Sequence, residues 1–490
     1  MRMRVPLFLC RKRASHDVGA RATIAPRAEP SKIADKMSFS PLDSEIFGPL
    51  FAPPAMAATF ADEALLAAML RAEAALARAQ ARVGLVPVGL AEAIEAVSPT
   101  AFDKSALAAG TALAGVPTIA FVKALQKLLP AEFAADLHKG ATSQDILDTG
   151  LALQMAVAFD LLAVDLAAVL RGLAALARRH AHTPCIARSY GQHAAPISFG
   201  FKVAVWLAGI ADAASGLEAR RDAACRAQLG GPVGTLASLG AHGPAVLADF
   251  ARELGLGAPA IAWHTRRAGI VEAGQWLATL AGTLAKMAGD VVALASSEIG
   301  EASEPHVDGR GGSTAMPHKR NPVAATAILA NAQAASGLAA GLAASLVAAH
   351  ERPAGAWHAE WHAVAALFGC SGGALAHARL LAEGLKVDAA AMARNIGATR
   401  GLVFADPAAS LLAPRLGRAA AHALVERAAD EVRAGGRDLH AVLSGADTGL
   451  AAEALAAAFD PSAAVAAAAA WVAPVASAAD ALAARLVARA

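Results

Sequence analysis

Three polar islands interrupt an otherwise apolar chain, and each groups side chains able to hold an anion or move a proton. The densest is Gly309–Pro322, GRGGSTAMPHKRNP, where glycines and prolines flank Ser313, Thr314, Lys319 and Asn321 directly before a run without charge. Such glycines let a loop close over a substrate and exclude water. Lys319 offers a cation and Asn321 a neutral donor, a pair suited to a carboxylate. A flexible linker has no need of a Lys, an Arg and a His set against an uncharged helix, so this island reads as functional.

The other two are weaker alone. In Leu137–Thr149, LHKGATSQDILDT, Thr142 and Ser143 precede a helix, where hydroxyls and free backbone N–H groups make an anion site. An ordinary N-cap accounts for the same residues. Thr183–Phe199, TPCIARSYGQHAAPISF, crowds Arg188, Tyr190, Gln192 and His193 into a loop between two long helices. Solubility at a bundle end explains that loop equally well.

The elements that must position these islands are helical. Hydrophobic residues are 56% of the chain and aromatics only 4%, so the apolar mass is Ala, Leu and Val, with few of the β-branched runs that a parallel sheet needs. Apolar spacing predicts a helix over Asp62–Val83, stopped by Gly84 and Pro87. Five long helices are expected near 150–182, 196–227, 268–300, 322–349 and 359–385, the number suited to a bundle. The expected organisation is all-α: a basic, disordered extension over 1–36, a helical domain over 37–145, the long bundle over 146–385 and a smaller helical domain over 386–490. The extension carries nine basic against three acidic residues; a targeting peptide would explain it, as would translation starting at Met37, the favoured reading.

Charge and cysteines bound the function. A net charge of +2 argues against nucleic acid as a partner. The four cysteines lie far apart without ligand spacing, and HExxH is absent, so neither a disulfide scaffold nor a metal site is expected and a reducing cytoplasm fits. Pro322–His350 carries no charge at all. Its length would serve a membrane span, but its Ala, Gly, Ser, Asn and Gln content favours a helix covered on all sides within a bundle or an oligomer.

GSTAMPHKRNP resembles the pattern G-S-S-x-M-P-x-K-x-N-P of the fumarase/aspartase superfamily. HKGATSQDILDT and ARSYGQHAAPISFG are similar to that family's first and second segments, in family order, and the likeness covers about residues 40–490. His350–Trp361 (HERPAGAWHAEW), Gly230–Gly240 (GGPVGTLASLG) and the N-terminal helix resemble the carboxymuconate cycloisomerase branch. The alternative is an adenylosuccinate lyase or a related fumarate-releasing lyase. Against it, Tyr190 stands where such lyases carry a histidine in the second segment, and Ala114–Val122 lacks their earlier histidine. Thr314 replaces the usual second serine, whereas Ser313 keeps the position that abstracts the proton in the family.

The resemblance implies proton transfer beside a carboxylate coupled to carboxylate addition or elimination on a small tricarboxylate. It makes Ser313 the proton shuttle, with Lys319 and Asn321 on the carboxylate where charge develops. Thr142, Ser143, Gln192 and Arg352 are expected on the remaining carboxylates, and His138, Tyr190, His193 and His318 as relays or pocket residues. It also implies a homotetramer built on the central bundles, with sites shared between subunits and no cofactor or metal.

Overall fold

The computed structural model describes residues 39–435 and 437–489; the expected disordered extension, 1–36, lies outside them. Helix α1 (Asp62–Arg82) ends where Gly84 takes φ +74°, close to the predicted stop. The five expected long helices are present: α2 (Ser143–Arg179), α3 (Phe199–Ala214, continued after a break by Leu217–Ala224), α4 (Ala268–Leu294), α5 (Val323–Ala343) and α6 (Val364–Gly384). They pack as a bundle in which α2 lies on α3 and α6, and α4 on α3, α5 and α6. A last helix, α7 (Val472–Arg489), returns to α2 and α3. Most of this apolar surface forms one core, built around Phe159, Leu166, Leu170, Leu284, Phe368 and Leu375. A separate small cluster, including Leu412, Leu439 and Leu443, lies in the C-terminal stretch.

One expectation is corrected. The second island is not a loop but a β-hairpin, β1 (Pro184–Ser189) paired antiparallel with β2 (Gln192–Ser198). Its strands bury Cys185, Ile186, Pro196 and Ser198, a pattern too short and polar to signal a strand. A second minimal sheet joins β3 (Ala302–Ser303) to β4 (Lys386–Val387). Within one chain the uncharged helix α5 buries one face: Ala324, Ile328, Asn331, Ala335 and Leu342 are buried, while Thr326, Gln333, Ser336, Gly337 and Gly341 are exposed. Among the described residues, six helical segments are long and apolar enough to cross a membrane by length and composition; in α2, 61% of the most apolar window is instead buried inside the fold.

Candidate active site

At the N-terminus of α2, Thr142 occupies the cap and its N–H donates to Asp145 Oδ2 at 2.9 Å. Asp145, wholly buried, also accepts from the Gly231 N–H at 2.9 Å, the Gly230 N–H at 3.0 Å and His264 Nε2 at 2.7 Å. One carboxylate in the first helical turn thus pins Gly230 and Gly231 beneath the GATS segment. Gly231 has φ +70°, and a Cβ there would come within 3.0 Å of the Gly140 carbonyl oxygen, so glycine is required. Thr142 and Ser143 remain half-buried above this base. Arg352 arrives beside them, its Nε donating to Gln144 Oε1 at 3.1 Å. His138 takes φ +60° and its Nδ1 lies 2.6 Å from Oε1 of the buried Glu73. Burial opposes the imidazolium, but the Glu73 carboxylate outweighs it and His138 titrates above its ordinary range. Helix N-terminus, Arg352 and His138 together favour an anion.

Deeper in the same end, Arg267 is enclosed by two carboxylates. It donates from Nη1 to Asp148 Oδ2 at 2.7 Å, and from Nε and Nη2 to Glu360 at 2.9 and 2.5 Å, with all three side chains only 1% exposed. Burial works against the guanidinium charge, and Asp148 and Glu360 more than offset that, raising its pKa. Burial also raises Glu360, with Arg267 opposing.

The hairpin is fixed near its tip by Arg188, whose Nη1 and Nη2 donate to Glu301 Oε2 and Oε1 at 2.9 and 2.6 Å. Asn395 Nδ2 adds a 2.7 Å bond to the same carboxylate. Tyr190 and Gly191 form the two-residue tip with φ +51° and +75°, as a hairpin turn of the I′ kind demands. Tyr190 is therefore 102% exposed, its phenol directed away from its own chain. Gln192 is exposed; His193 is half-buried and its pKa is lowered, by burial first and the Arg188 charge second.

Beyond Glu301, the Glu304 carboxylate caps α5, accepting from the Ala324 and Ala325 N–H groups at 3.1 and 2.8 Å, and so draws together the ends of the loop that carries the third island. Inside it the Asn321 N–H donates to the Gly311 carbonyl at 2.8 Å, and a Cβ on Gly311 would lie 2.6 Å from Asn321 O. Ser313 Oγ accepts from the Met316 N–H at 3.2 Å, and the Lys319 N–H bonds the Met316 carbonyl. Ser313 is half-buried, whereas His318, Lys319 and Asn321 face solvent, and Lys319 makes no ion pair among the described residues.

Hairpin and loop are thus rooted at one end of the bundle, joined through Glu301. Thr142, Ser143, Arg352 and His138 stand at the other, separated by the 37 residues of α2, about 55 Å of helix. One chain does not bring the three groups together. Reading the sequence also missed Asp145, Asp148, Arg267, Glu360 and Glu301. The T-x-x-D spacing of Thr142 and Asp145 was a visible signal; Arg267 meets Asp148 across 119 residues, which no local pattern records. Among the described residues no group of three or more His, Cys, Asp or Glu could hold a metal.

Comparison with known proteins places this geometry. Residues 51–337 match a family model described as Lyase. The chain is 43% identical over 426 residues to the 3-carboxy-cis,cis-muconate cycloisomerase of Bradyrhizobium diazoefficiens, covering 85% of this chain and 94% of that one. It is 41% identical over 421 residues to the nitrosuccinate lyase of Streptomyces davaonensis, covering 83% and 88%. Among solved structures, the 3-carboxy-cis,cis-muconate lactonizing enzyme from Pseudomonas putida matches with a TM-score of 0.86 at 39% identity, over 90% of this chain and 100% of that one.

Proposed function

Since the chain belongs to the lyase family of the fumarase/aspartase superfamily, we propose that it interconverts 3-carboxy-cis,cis-muconate and 4-carboxymuconolactone. The observation that carries this reading is the loop from Gly309 to Pro322, which holds Ser313, Lys319 and Asn321 on a backbone closed by Gly311. In the lactonising direction a substrate carboxylate oxygen adds to a conjugated double bond, and a proton goes to the carbon beside another carboxylate. In reverse, Ser313 removes that proton, the charge passes onto the carboxylate oxygens, and the lactone oxygen leaves as a carboxylate. Preorganised donors contribute most where that charge develops, the role assigned to Lys319 and Asn321. An unperturbed serine is too weak a base, so closure of the loop must stabilise its alkoxide. Thr142, Ser143, Gln192 and Arg352 hold the other carboxylates; His138, Tyr190, His193 and His318 line or relay.

The active unit in this reading is a homotetramer. Support comes from the uncharged exposed face of α5 and from the separation of the three groups along α2, which only another copy can bridge. Free thiols at Cys185, Cys225 and Cys370 suit a reducing cytoplasm.

A fumarate-releasing lyase is the second reading, favoured by the 41% identity to a nitrosuccinate lyase. The test offers purified protein 3-carboxy-cis,cis-muconate, nitrosuccinate and adenylosuccinate in parallel, following loss of the diene absorbance and appearance of fumarate. Rapid loss of the diene alone supports the cycloisomerase. Fumarate from either succinate adduct, with the diene untouched, overturns it.

A further inference from the structure

Gln144 is wholly buried, yet its amide reaches the edge of the anion site. Its Nε2 donates both hydrogens, to Asp148 Oδ2 at 3.1 Å and to the His264 carbonyl at 3.0 Å. Turning the amide over would set its oxygen against a carboxylate and a carbonyl, and its NH2 against a guanidinium. Both contacts would be repulsive, so chemistry fixes the orientation. Oε1 must face outward, where Arg352 Nε meets it at 3.1 Å.

The anchor behind Gln144 is rigid. Asp148 is held by Arg267 at 2.7 and 3.1 Å and by Trp357 Nε1 at 3.0 Å, and Arg267 is held in turn by Glu360. A buried lattice of charges thus ends in a single neutral acceptor presented to an exposed arginine. With Nε committed to Gln144, the Nη1 and Nη2 end of the Arg352 fork has no other partner among the described residues. That end can take a carboxylate through two parallel bonds.

We propose that Gln144 is a positioning residue, which fixes the rotation of the Arg352 guanidinium so that its Nη edge faces a substrate carboxylate at the N-terminus of α2. The inference rests on the assignment of Arg352 to substrate binding. Gln144 touches no substrate; it acts by sparing Arg352 the cost of ordering a long side chain when the carboxylate arrives. It also explains why an amide stands here: Glu would set a second carboxylate against Asp148, and Leu would leave Arg352 unguided.

A double-mutant cycle tests this on the full chain, with tricarballylate as the probe, titrated calorimetrically, and 3-carboxy-cis,cis-muconate turnover as the second readout. Arg352→Ala should weaken tricarballylate about tenfold or more, and Gln144→Met by a similar factor, the scale of one lost hydrogen bond to a charged group. The double variant should bind within about twofold of Arg352→Ala, because coupled residues fail to add. KM should rise in parallel while kcat changes far less. If Gln144→Met folds poorly, Gln144→Asn keeps an amide but draws its oxygen back from Arg352, and the same pattern is expected. Effects that multiply in the double variant, or wild-type binding in both Gln144 variants, overturn the inference. Unchanged binding in Arg352→Ala removes the underlying assignment, and the inference with it. Failed turnover of the muconate with the coupling intact sinks only the proposed substrate.

Discussion

Replacing Arg267 by Met tests the buried charge lattice beneath the anion site. The guanidinium makes bonds to both Asp148 and Glu360, each side chain only 1% exposed, so the substitution leaves two carboxylates facing one another without a cation. Removing one partner of a buried ion pair costs about 3–5 kcal/mol. Unfolding entropy of about 2.1 cal/mol/K per residue, over roughly 450 described residues, comes to about 0.9 kcal/mol/K. The expected fall in the thermal midpoint is therefore roughly 3–5 °C at pH 8. Its pH dependence has a definite sign. Without Arg267, nothing offsets the burial that already holds the folded-state pKa of Glu360 above the unfolded value of about 4. The variant's deficit is then absent below that unfolded value and grows as pH rises through the raised one. Differential scanning calorimetry at pH 5 and pH 8 should find the larger deficit at pH 8. A midpoint within about 1 °C of wild type at pH 8, or a larger deficit at pH 5, would refute the reasoning.

Three further outcomes are expected. Lys319→Met should weaken tricarballylate binding and slow turnover together, since the proposed role sets its charge against both the substrate and the intermediate; equal affinity in variant and wild type contradicts that. Tyr190→Phe should retain most activity, because the lactone opens to a carboxylate with a pKa near ~4, which leaves without a proton; a loss of about 10²-fold with assembly intact would give the phenol a part in proton transfer. Glu73→Gln should cost more stability at pH 6 than at pH 9. His138 titrates above its ordinary range, so its pairing stabilises fully below the ordinary histidine value and is lost as pH rises through the raised one. A loss of roughly 2–3 °C at pH 6 follows from about 1.5–3 kcal/mol for a hydrogen bond to a charged group. Equal losses at the two pH values would contradict the pairing.

The helices were legible because Ala-rich apolar runs and glycine stops are local signals; α1 ends close to its predicted stop, whereas α2 begins at Ser143, ahead of the expected 150, because Thr142 and Asp145 cap it there. The hairpin was not, since Cys185 and Ile186 are buried in a strand of six residues whose partner strand reads as a polar loop. Candidate residues in the three islands were visible by type, and the structure places Thr142, Ser143, Arg352 and His138 at one end of α2. What could not be read was the support beneath them. Glu301 meets Arg188 across 113 residues and Arg267 meets Asp148 across 119, and their pairing emerges only once the bundle has closed. The uncharged run called for cover in a bundle or an oligomer; within one chain α5 buries a single face.

Proton delivery by Ser313 to a carbon beside a carboxylate is tested most directly by turnover in D2O, with the lactone read by proton and deuterium NMR. Addition of the carboxylate oxygen leaves that carbon short of one hydrogen, which must come from solvent through the enzyme. Wild-type protein should consume 3-carboxy-cis,cis-muconate and yield 4-carboxymuconolactone carrying one deuterium at that carbon, on one face only. Ser313→Ala should form the lactone at least about 10²-fold more slowly while still binding tricarballylate, as expected when an acid–base group is removed. Unconsumed substrate with wild-type protein, or a Ser313→Ala variant retaining more than about a tenth of the wild-type rate, would contradict the account.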